Sequence, residues 1–180
     1  MLRPVPNLRV KTQGFSLVEL MVGIAIMAVL ASLALPSYKV WMQNSRIRAT
    51  AESIQNGLQI ARAEAVKRNL PVQFELSDDA SWTFGCVTVS ADCPGTIQSR
   101  AAGEGSSADV TAVTSPATSD TVEFNAMGRV SAAPVPFTQV NIDSSASADD
   151  RPLRVTLGVG GNTRMCDPYS GLSTSDPRKC

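Results

Sequence analysis

The chain has 180 residues, of which 43% are hydrophobic and 18% charged, and its 16 basic and 16 acidic side chains give a formal net charge of zero. It has no histidine, which excludes Ser-His-Asp and Cys-His catalysis and most zinc and haem sites. The neutral total hides an uneven distribution: residues 1–14 have three basic side chains and no acid, residues 15–68 six against three, and residues 69–180 seven against thirteen. We expect neither an enzyme nor a bound cofactor or metal.

The longest apolar run, residues 15–35, contains one ionisable side chain, Glu19. Because a helix rises about 1.5 Å per residue, this run is long enough to cross about 30 Å of hydrocarbon. The apolar region of a secretory signal is shorter, at about 7 to 15 residues. We therefore predict a membrane-spanning helix over residues 15–35. The basic leader before it predicts that the C-terminal domain is exported.

Glu19 is a candidate functional residue because a carboxylate in the middle of a membrane costs about 2.5 to 3.5 kcal/mol. Such a group is retained where it has a partner or lies close to the interface. Two interpretations stay open from this residue alone: Glu19 pairs with a cation inside the hydrocarbon, or its side chain reaches the interface.

The sequence Gly14-Phe15-Ser16-Leu17-Val18-Glu19, between a basic leader and the apolar run, resembles the class III signal of type IV pilins and type II secretion pseudopilins. The resemblance implies that a prepilin peptidase removes residues 1–14 by cleaving between Gly14 and Phe15, and that Phe15 is then N-methylated. It also implies an assembly role for Glu19, which pairs with the N-terminal amine of a neighbouring subunit. Breaking one side of a buried ion pair costs about 3 to 5 kcal/mol, so this pair would set the register of a filament.

The helix is predicted to continue through residues 36–68, with a kink at Pro36, which lacks a backbone donor. Apolar residues recur at spacings of three and four along one stripe, which is typical of an amphipathic helix. Asn69-Leu70-Pro71 ends the pattern. We predict one helix over residues 15–68 whose second half packs on the chain's own domain, with a coiled coil to a partner as the alternative. The stripe consists of Ile47, Ala51, Ile54, Leu58, Ala61 and Ala65.

Beyond Pro71 the hydrophobic period changes to two, and short alternating segments are separated by Ser, Asp and Gly. This pattern predicts an antiparallel β-sheet domain over residues 69–180 and an α+β fold. Three Ser- and Ala-rich segments, residues 101–108, 115–119 and 144–150, are predicted to be mobile, exposed loops. The candidate strands are residues 72–76, 82–84, 87–89, 97–100, 110–113, 122–124, 128–130, 138–142, 153–159 and 162–165.

The four cysteines fit an exported, oxidising environment, and no Cys-x-x-Cys spacing suggests zinc. They allow three connectivities, and the sequence alone does not choose among them. Our hypothesis is local pairing, in which a strand and turn bring Cys86 to Cys93, and Cys166 and Cys180 close a loop at the end of the chain. The second pairing resembles the disulfide-bounded C-terminal loop of pilins.

Within the pilin-like proteins, the chain resembles the minor pilin and pseudopilin-H group, also called GspH/FimT/FimU-like. The similarity rests on residues 61–68 (ARAEAVKR), 124–130 (FNAMGRV), 164–168 (RMCDP) and 176–180 (DPRKC). It implies a minor pilin that enters the type IV pilus and helps to start assembly at or near the tip. The alternative is a pseudopilin of a type II secretion system. Its partners would be prepilin peptidase, other minor pilins and the major pilin, or pseudopilins.

The resemblance also implies a location: the inner membrane of a Gram-negative bacterium, with a single span and a periplasmic C-terminal domain, and then the pilus or pseudopilus. A further alternative is DNA binding during natural transformation. FimT-like members use a Gly-Arg-x-Arg motif, where this chain has Gly161-Asn162-Thr163-Arg164. Arg164, Arg178 and Lys179 are the candidate DNA-binding residues, although the acidic domain around them opposes general attraction to a polyanion.

Overall fold

The computed structural model describes residues 14–104, 109–146 and 150–180. These residues form one α-helix and eight β-strands, in agreement with the predicted α+β fold. The predicted leader lies almost wholly outside the described residues, as do residues 105–108 and 147–149 of two predicted loops. The elements are α1 (Leu17–Arg68), β1 (Val72–Leu76), β2 (Trp82–Cys86), β3 (Gln98–Arg100), β4 (Val110–Ser115), β5 (Thr121–Phe124), β6 (Gln139–Ser144), β7 (Leu153–Leu157) and β8 (Thr163–Cys166).

The last turn of α1 is closed by two backbone hydrogen bonds around Asn69. Asn69 adopts a φ of 55°, and its N–H donates to the carbonyl of Val66 (3.3 Å). The N–H of Leu70 donates to the carbonyl of Ala65 (3.2 Å). This is the left-handed cap with which many helices end, and asparagine tolerates its positive φ better than most residues do. The helix therefore stops where the Asn-Leu-Pro sequence predicted.

The strands form two antiparallel sheets of four strands each within the described residues. The order is β3-β2-β1-β5 in the first sheet and β4-β6-β7-β8 in the second. In the first sheet, Phe74 of β1 lies opposite Phe84 on one side and Val122 on the other. In the second sheet, Val140 of β6 lies opposite Val155 of β7. Along the chain, β1 to β3 belong to the first sheet, β4 to the second, β5 to the first, and β6 to β8 to the second.

Both sheets pack on one face of α1. The six residues of the predicted stripe are all fully buried, which confirms that face. Trp82 anchors the contact with the first sheet, because its indole N–H donates to Ser53 Oγ of α1 (3.0 Å). Gly57 allows β1 and β2 to approach α1 closely, since a Cβ on Gly57 would lie 2.9 Å from the Phe74 side chain and 3.2 Å from the Trp82 side chain. Burial of this stripe and the facing aromatic rings supplies the main stabilising term of the domain.

The prediction of a strand is wrong for two segments, because local hydrogen bonds hold their backbone in a loop and a turn. Residues 87–89 lie in the loop closed by the Cys86–Cys93 bond, where Ser90 and Cys93 exchange two backbone hydrogen bonds. Residues 128–130 belong to a turn in which Asn125 Oδ1 accepts the N–H groups of Met127 and Arg129. Asparagine side chains compete in this way with extended structure.

The predicted loop over residues 115–119 is also wrong in part. Ser115 ends β4, and Ser119 is buried. The Ser119 hydroxyl shares its one hydrogen between the carbonyls of Val135 (2.5 Å) and Thr121 (3.2 Å), so it ties two backbone segments together. A Ser-rich composition indicates exposure only on average, and a serine hydroxyl can be buried where it has hydrogen-bond partners.

The chain divides into two compact units, one that ends at Tyr38 and a second that covers Lys39–Cys180. The second unit contains the later part of α1 and all the described strands. Among the described residues, no single helix meets the criteria of length and hydropathy for crossing a membrane, whereas the segments Leu17–Leu33 and Ser37–Arg68, joined through a bend, meet them together.

Candidate functional site

The first turn of α1 contains the residues predicted for processing and assembly. Ser16 is the cap of the helix: its Oγ accepts the N–H of Glu19 (3.2 Å), and its carbonyl accepts the N–H of Leu20 (3.1 Å). The helix therefore begins at Leu17 and not at Phe15, because a serine at this position satisfies an otherwise unpaired helix N–H. Phe15 and Glu19 are both exposed. A carboxylate in the first turn also interacts favourably with the positive end of the helix dipole.

The apolar side chains that follow Phe15 are not covered by any described part of the chain. The exposed fraction is 83% for Phe15 and still 56% for Leu35. Between them, every large apolar side chain is more than half exposed: Leu17, Val18, Leu20, Met21, Val22, Ile24, Ile26, Met27, Val29, Leu30 and Leu33. An apolar surface of this extent marks contact with a membrane or with other proteins.

The two disulfide bonds join Cys86 to Cys93 and Cys166 to Cys180, which is the local pairing of our hypothesis. Their Cα atoms are 5.8 and 5.0 Å apart. The second bond ties the last residue to the end of β8. Two backbone hydrogen bonds support it, from Asp167 to the carbonyl of Arg178 and from Cys180 to the carbonyl of Asp167 (2.6 and 3.2 Å).

Of the three predicted DNA-binding residues, Arg178 and Lys179 lie in this C-terminal loop and Arg164 lies in β8 beside it. Each has an intramolecular partner. Arg164 Nη2 donates to the carbonyls of Pro177 and Lys179 (2.9 and 3.0 Å). Lys179 Nζ donates to the carbonyl of Leu172 (3.0 Å). Arg178 forms a two-point ion pair with Asp176 through Nε and Nη2 (3.1 and 2.8 Å). These cations brace the loop, a role that the sequence pattern did not indicate.

The ion pair has an electrostatic consequence for Asp176. The Arg178 side chain first, and then the Arg178 backbone N–H, donate to the Asp176 carboxylate and lower its pKa from 3.8 to about 2. Hydrogen bonds to the charged form of an acid have this effect. The same pair raises the pKa of Arg178.

The end of α1 holds a second cluster, which sequence reasoning did not assign. Arg62 Nε donates to the carbonyl of Gly128 (2.9 Å) in the turn after β5. Glu64 accepts from Arg68 (2.7 Å) and Lys67 (3.1 Å), and these two contacts, Arg68 first, lower the pKa of Glu64. Arg68 Nη1 also donates to the carbonyl of Asp92 (2.5 Å), inside the first disulfide loop. The polar residues of the ARAEAVKR segment thus connect the helix to two loops.

No group of three or more metal-ligating Cys, His, Asp or Glu side chains forms within residues 14–104, 109–146 and 150–180. The arrangement around Phe15 and the C-terminal loop provides contact surfaces and bracing interactions.

The fold is similar to that of the type IV minor pilin FimU from Pseudomonas aeruginosa, strain PAO1. One FimU crystal structure has 19% sequence identity and a TM-score of 0.53, over 66% of this chain and 87% of that chain. A second has 18% identity and a TM-score of 0.51, over 66% and 90%. The minor pseudopilin EpsH from the type 2 secretion system of Vibrio cholerae has 20% identity and a TM-score of 0.49, over 69% and 99%. None of the curated protein sequences matches this chain.

Two family models match the sequence. The prokaryotic N-terminal methylation motif covers residues 9–35, which include Gly14, Phe15 and Glu19. The model described as type II transport protein GspH covers residues 50–161, which is more than half of the chain. The likeness to the FimU structures covers about two thirds of this chain and supports the α+β fold described above. The chain therefore belongs to the GspH family, whose members are minor pilins and pseudopilins.

Proposed function

We propose that this chain is a minor subunit of the type IV pilus that helps to start assembly at or near the filament tip. The observation that carries the proposal is the series of exposed large apolar side chains from Phe15 to Leu35. These side chains lie within the methylation motif, residues 9–35, and precede the part of α1 that packs on the sheets. A structural subunit needs such a surface, whereas a soluble enzyme would aggregate through it.

Before assembly, the apolar segment holds the chain in the inner membrane, and residues 39–180 lie in the periplasm. During assembly, the same side chains exchange lipid for the helices of neighbouring subunits. That exchange replaces one apolar environment with another and therefore costs little, which suits a subunit that must leave the membrane.

Prepilin peptidase cleaves between Gly14 and Phe15 and leaves a methylated amine on Phe15. Glu19 then pairs with the amine of a neighbouring subunit. The exposure of both residues supports these roles, since neither has a side-chain partner among the described residues that assembly would have to displace. The removed leader, the membrane segment over 15–35, the amphipathic segment over 36–68 and the domain over 69–180 are thus the functional divisions of the chain.

A pseudopilin of a type II secretion system is the second candidate. The match of residues 50–161 to the GspH model favours it, because that model is described as a type II transport protein. The two functions use the same surfaces of the chain and differ in the filament that receives it.

Deletion of the gene distinguishes the candidates. For a pilus subunit, we expect surface pili and twitching motility to fall, secretion of folded exoproteins to continue, and antibody against the chain to mark filament ends. Restored pili after complementation would exclude an indirect effect of the deletion. Normal piliation with lost secretion would overturn the proposal and favour the pseudopilin.

A further inference from the structure

A cleft of about 350 Å³ lies between α1 and the C-terminal disulfide loop. One wall is the α1 turn that contains Asn44 and Arg48, and the opposite wall is formed by the loop around Arg178. Leu153 of β7 and Met165 of β8 also line the cleft, and both pack against the hydrophobic core. The cleft therefore combines an apolar surface with charged walls.

Two guanidinium groups of the cleft have no carboxylate partner among the residues that the structure describes. These are Arg48 and Arg151, and both side chains are exposed. Arg151 Cζ lies 5.9 Å from the ring centre of Tyr169, a weak cation–π contact that leaves its N–H donors available. Arg178, the third arginine, shares its charge with Asp176.

Asn44 binds the backbone of one available arginine and lies one helical turn from the other. Its Oδ1 accepts the backbone N–H of Arg151 (2.8 Å), which holds the start of β7 against the helix. Arg48 follows Asn44 by four residues, so it lies on the same face of α1 one turn away. The chain thus presents two forked donors from two different elements to one small space.

One acid also lies in the cleft wall. Asp167 is buried, and its Oδ1 accepts the backbone N–H of Tyr169 (2.9 Å), so this carboxylate is engaged in the loop. The lining therefore carries three guanidinium groups and one carboxylate, and its net charge is positive. The surrounding residues 69–180 are acidic, with seven basic against thirteen acidic side chains. A local positive site inside an acidic domain selects for a small, localised anion.

We propose that this cleft binds an aspartate or glutamate side chain of a neighbouring filament subunit. The inference rests on the proposed filament function. Arginine matches a carboxylate in a planar, two-point geometry, and the apolar residues Leu153 and Met165 receive the methylene groups of the acidic side chain. A long polyanion such as DNA is disfavoured, because the acidic domain repels it and Arg164, Arg178 and Lys179 already have intramolecular partners.

The test uses the full-length processed chain in detergent micelles, with the arginine side-chain N–H groups observed by NMR. The probes are a blocked tripeptide with a central glutamate, its glutamine counterpart and a single-stranded DNA oligonucleotide, each titrated to millimolar concentration. The variants are Arg48→Gln and Arg151→Gln, and Arg129→Gln is the matched control, since Arg129 is exposed and lies outside the cleft.

We expect the glutamate peptide to shift the Arg48 and Arg151 signals, and each cleft variant to weaken binding about tenfold, the effect of losing one charge-assisted hydrogen bond. Arg129→Gln should bind as the unmodified chain does. Equal binding of the glutamine peptide, no shift at the two arginines, or tighter binding of DNA at the same residues would each overturn the proposal. If the Arg151→Gln chain is not folded, the result for Arg48→Gln alone tests the proposal. If the chain enters filaments but does not bind the glutamate peptide, the cleft proposal is wrong and the filament function is still supported.

Discussion

The charged side chains predicted to bind DNA instead brace the protein's own C-terminal loop. Arg164 binds two carbonyls of that loop, and Arg62, which the sequence did not single out, joins α1 to the Gly128 turn. In both cases, guanidinium N–H groups donate to backbone carbonyls of irregular segments. An arginine suits this task because its several donors are fixed in one plane.

Glu19→Ala is predicted to leave membrane insertion intact and to reduce incorporation into filaments. The substitution raises the apolarity of the segment but removes the proposed partner of the Phe15 amine, which then stays unpaired at a cost of about 3 to 5 kcal/mol. Quantitative immunoblotting of membranes and of sheared filaments measures both effects. Glu52→Ala, which removes an exposed acid elsewhere on α1, serves as the control. Filaments containing normal amounts of the Glu19→Ala chain would contradict the pairing.

Arg62→Met is predicted to lower the free energy of unfolding by about 1.5 to 3 kcal/mol, because the Gly128 carbonyl loses a charged donor while the methylene packing of the side chain is kept. Chemical denaturation of the chain in micelles measures the change. Arg129→Gln, which affects an exposed arginine of the same turn, should cost much less. Equal effects of the two variants would show that the Arg62 contact is not a stabilising one.

Asp176 is predicted to titrate with a midpoint near pH 2 in the folded chain. Because folding lowers this pKa, the contribution of the ion pair is complete above the ordinary value of 3.8 and is lost as the pH falls towards 2. The carboxyl carbon signal of Asp176 in an NMR titration gives the midpoint directly. In Arg178→Gln the midpoint should rise but stay below its ordinary value, because the backbone N–H of residue 178 still donates to the Asp176 carboxylate. An unchanged midpoint would show that the Arg178 side chain is not the main cause.

At the scale of elements, α1 places two kinds of side-chain surface on one helix. Its large apolar side chains up to Leu35 are exposed, whereas the stripe from Ile47 to Ala65 is fully buried under two sheets. The disulfide loops are the complementary elements, since each ties an irregular segment to a strand end. The loop from Cys166 to Cys180 depends on covalent closure most, because its residues contribute little to the core.

Replacing Cys166 and Cys180 together by alanine is predicted to destabilise the chain by up to about 3 kcal/mol, the chain-entropy value for a loop of about 15 residues. Arg164 still binds the loop in this variant, so part of the loss is offset. Thermal unfolding in micelles measures the effect. The matched variant lacks Cys86 and Cys93, whose bond closes a shorter loop, and its free energy of unfolding should fall less. An unchanged melting temperature in the first variant would refute the stabilising role, and non-reducing peptide mapping would reveal any Cys86 to Cys166 or Cys86 to Cys180 bond.

At the scale of the whole molecule, charged and apolar residues are concentrated in different parts of the sequence. The basic residues of the leader precede the apolar segment, and the acidic excess lies in residues 69–180. Anionic lipid headgroups repel an acidic domain, and in the proposed function the apolar segment is the membrane anchor.

The mature chain is predicted to begin at Phe15 and to carry a methylated amine. Intact-mass measurement of the protein purified from membranes should give the mass of residues 15–180 plus that of one CH2 unit for the methylation, less four hydrogens for the two disulfide bonds. In a strain without prepilin peptidase, the mass should correspond to the full 180 residues. Any other N-terminus in the wild-type strain would rule out cleavage after Gly14.

The sequence by itself determined the helix, its buried stripe and the α+β class, because these follow from local periodicity and from the length of the apolar run. Helix bounds were predictable to within two residues; the cap at Ser16 accounts for the difference at the start. Only the tertiary structure decided how the strands divide between two sheets, since antiparallel pairing depends on contacts between segments distant in sequence. It also assigned the arginines: whether Arg164 of β8 faces a ligand or a carbonyl of the C-terminal loop depends on where the closing disulfide places that loop, and no local pattern encodes that position.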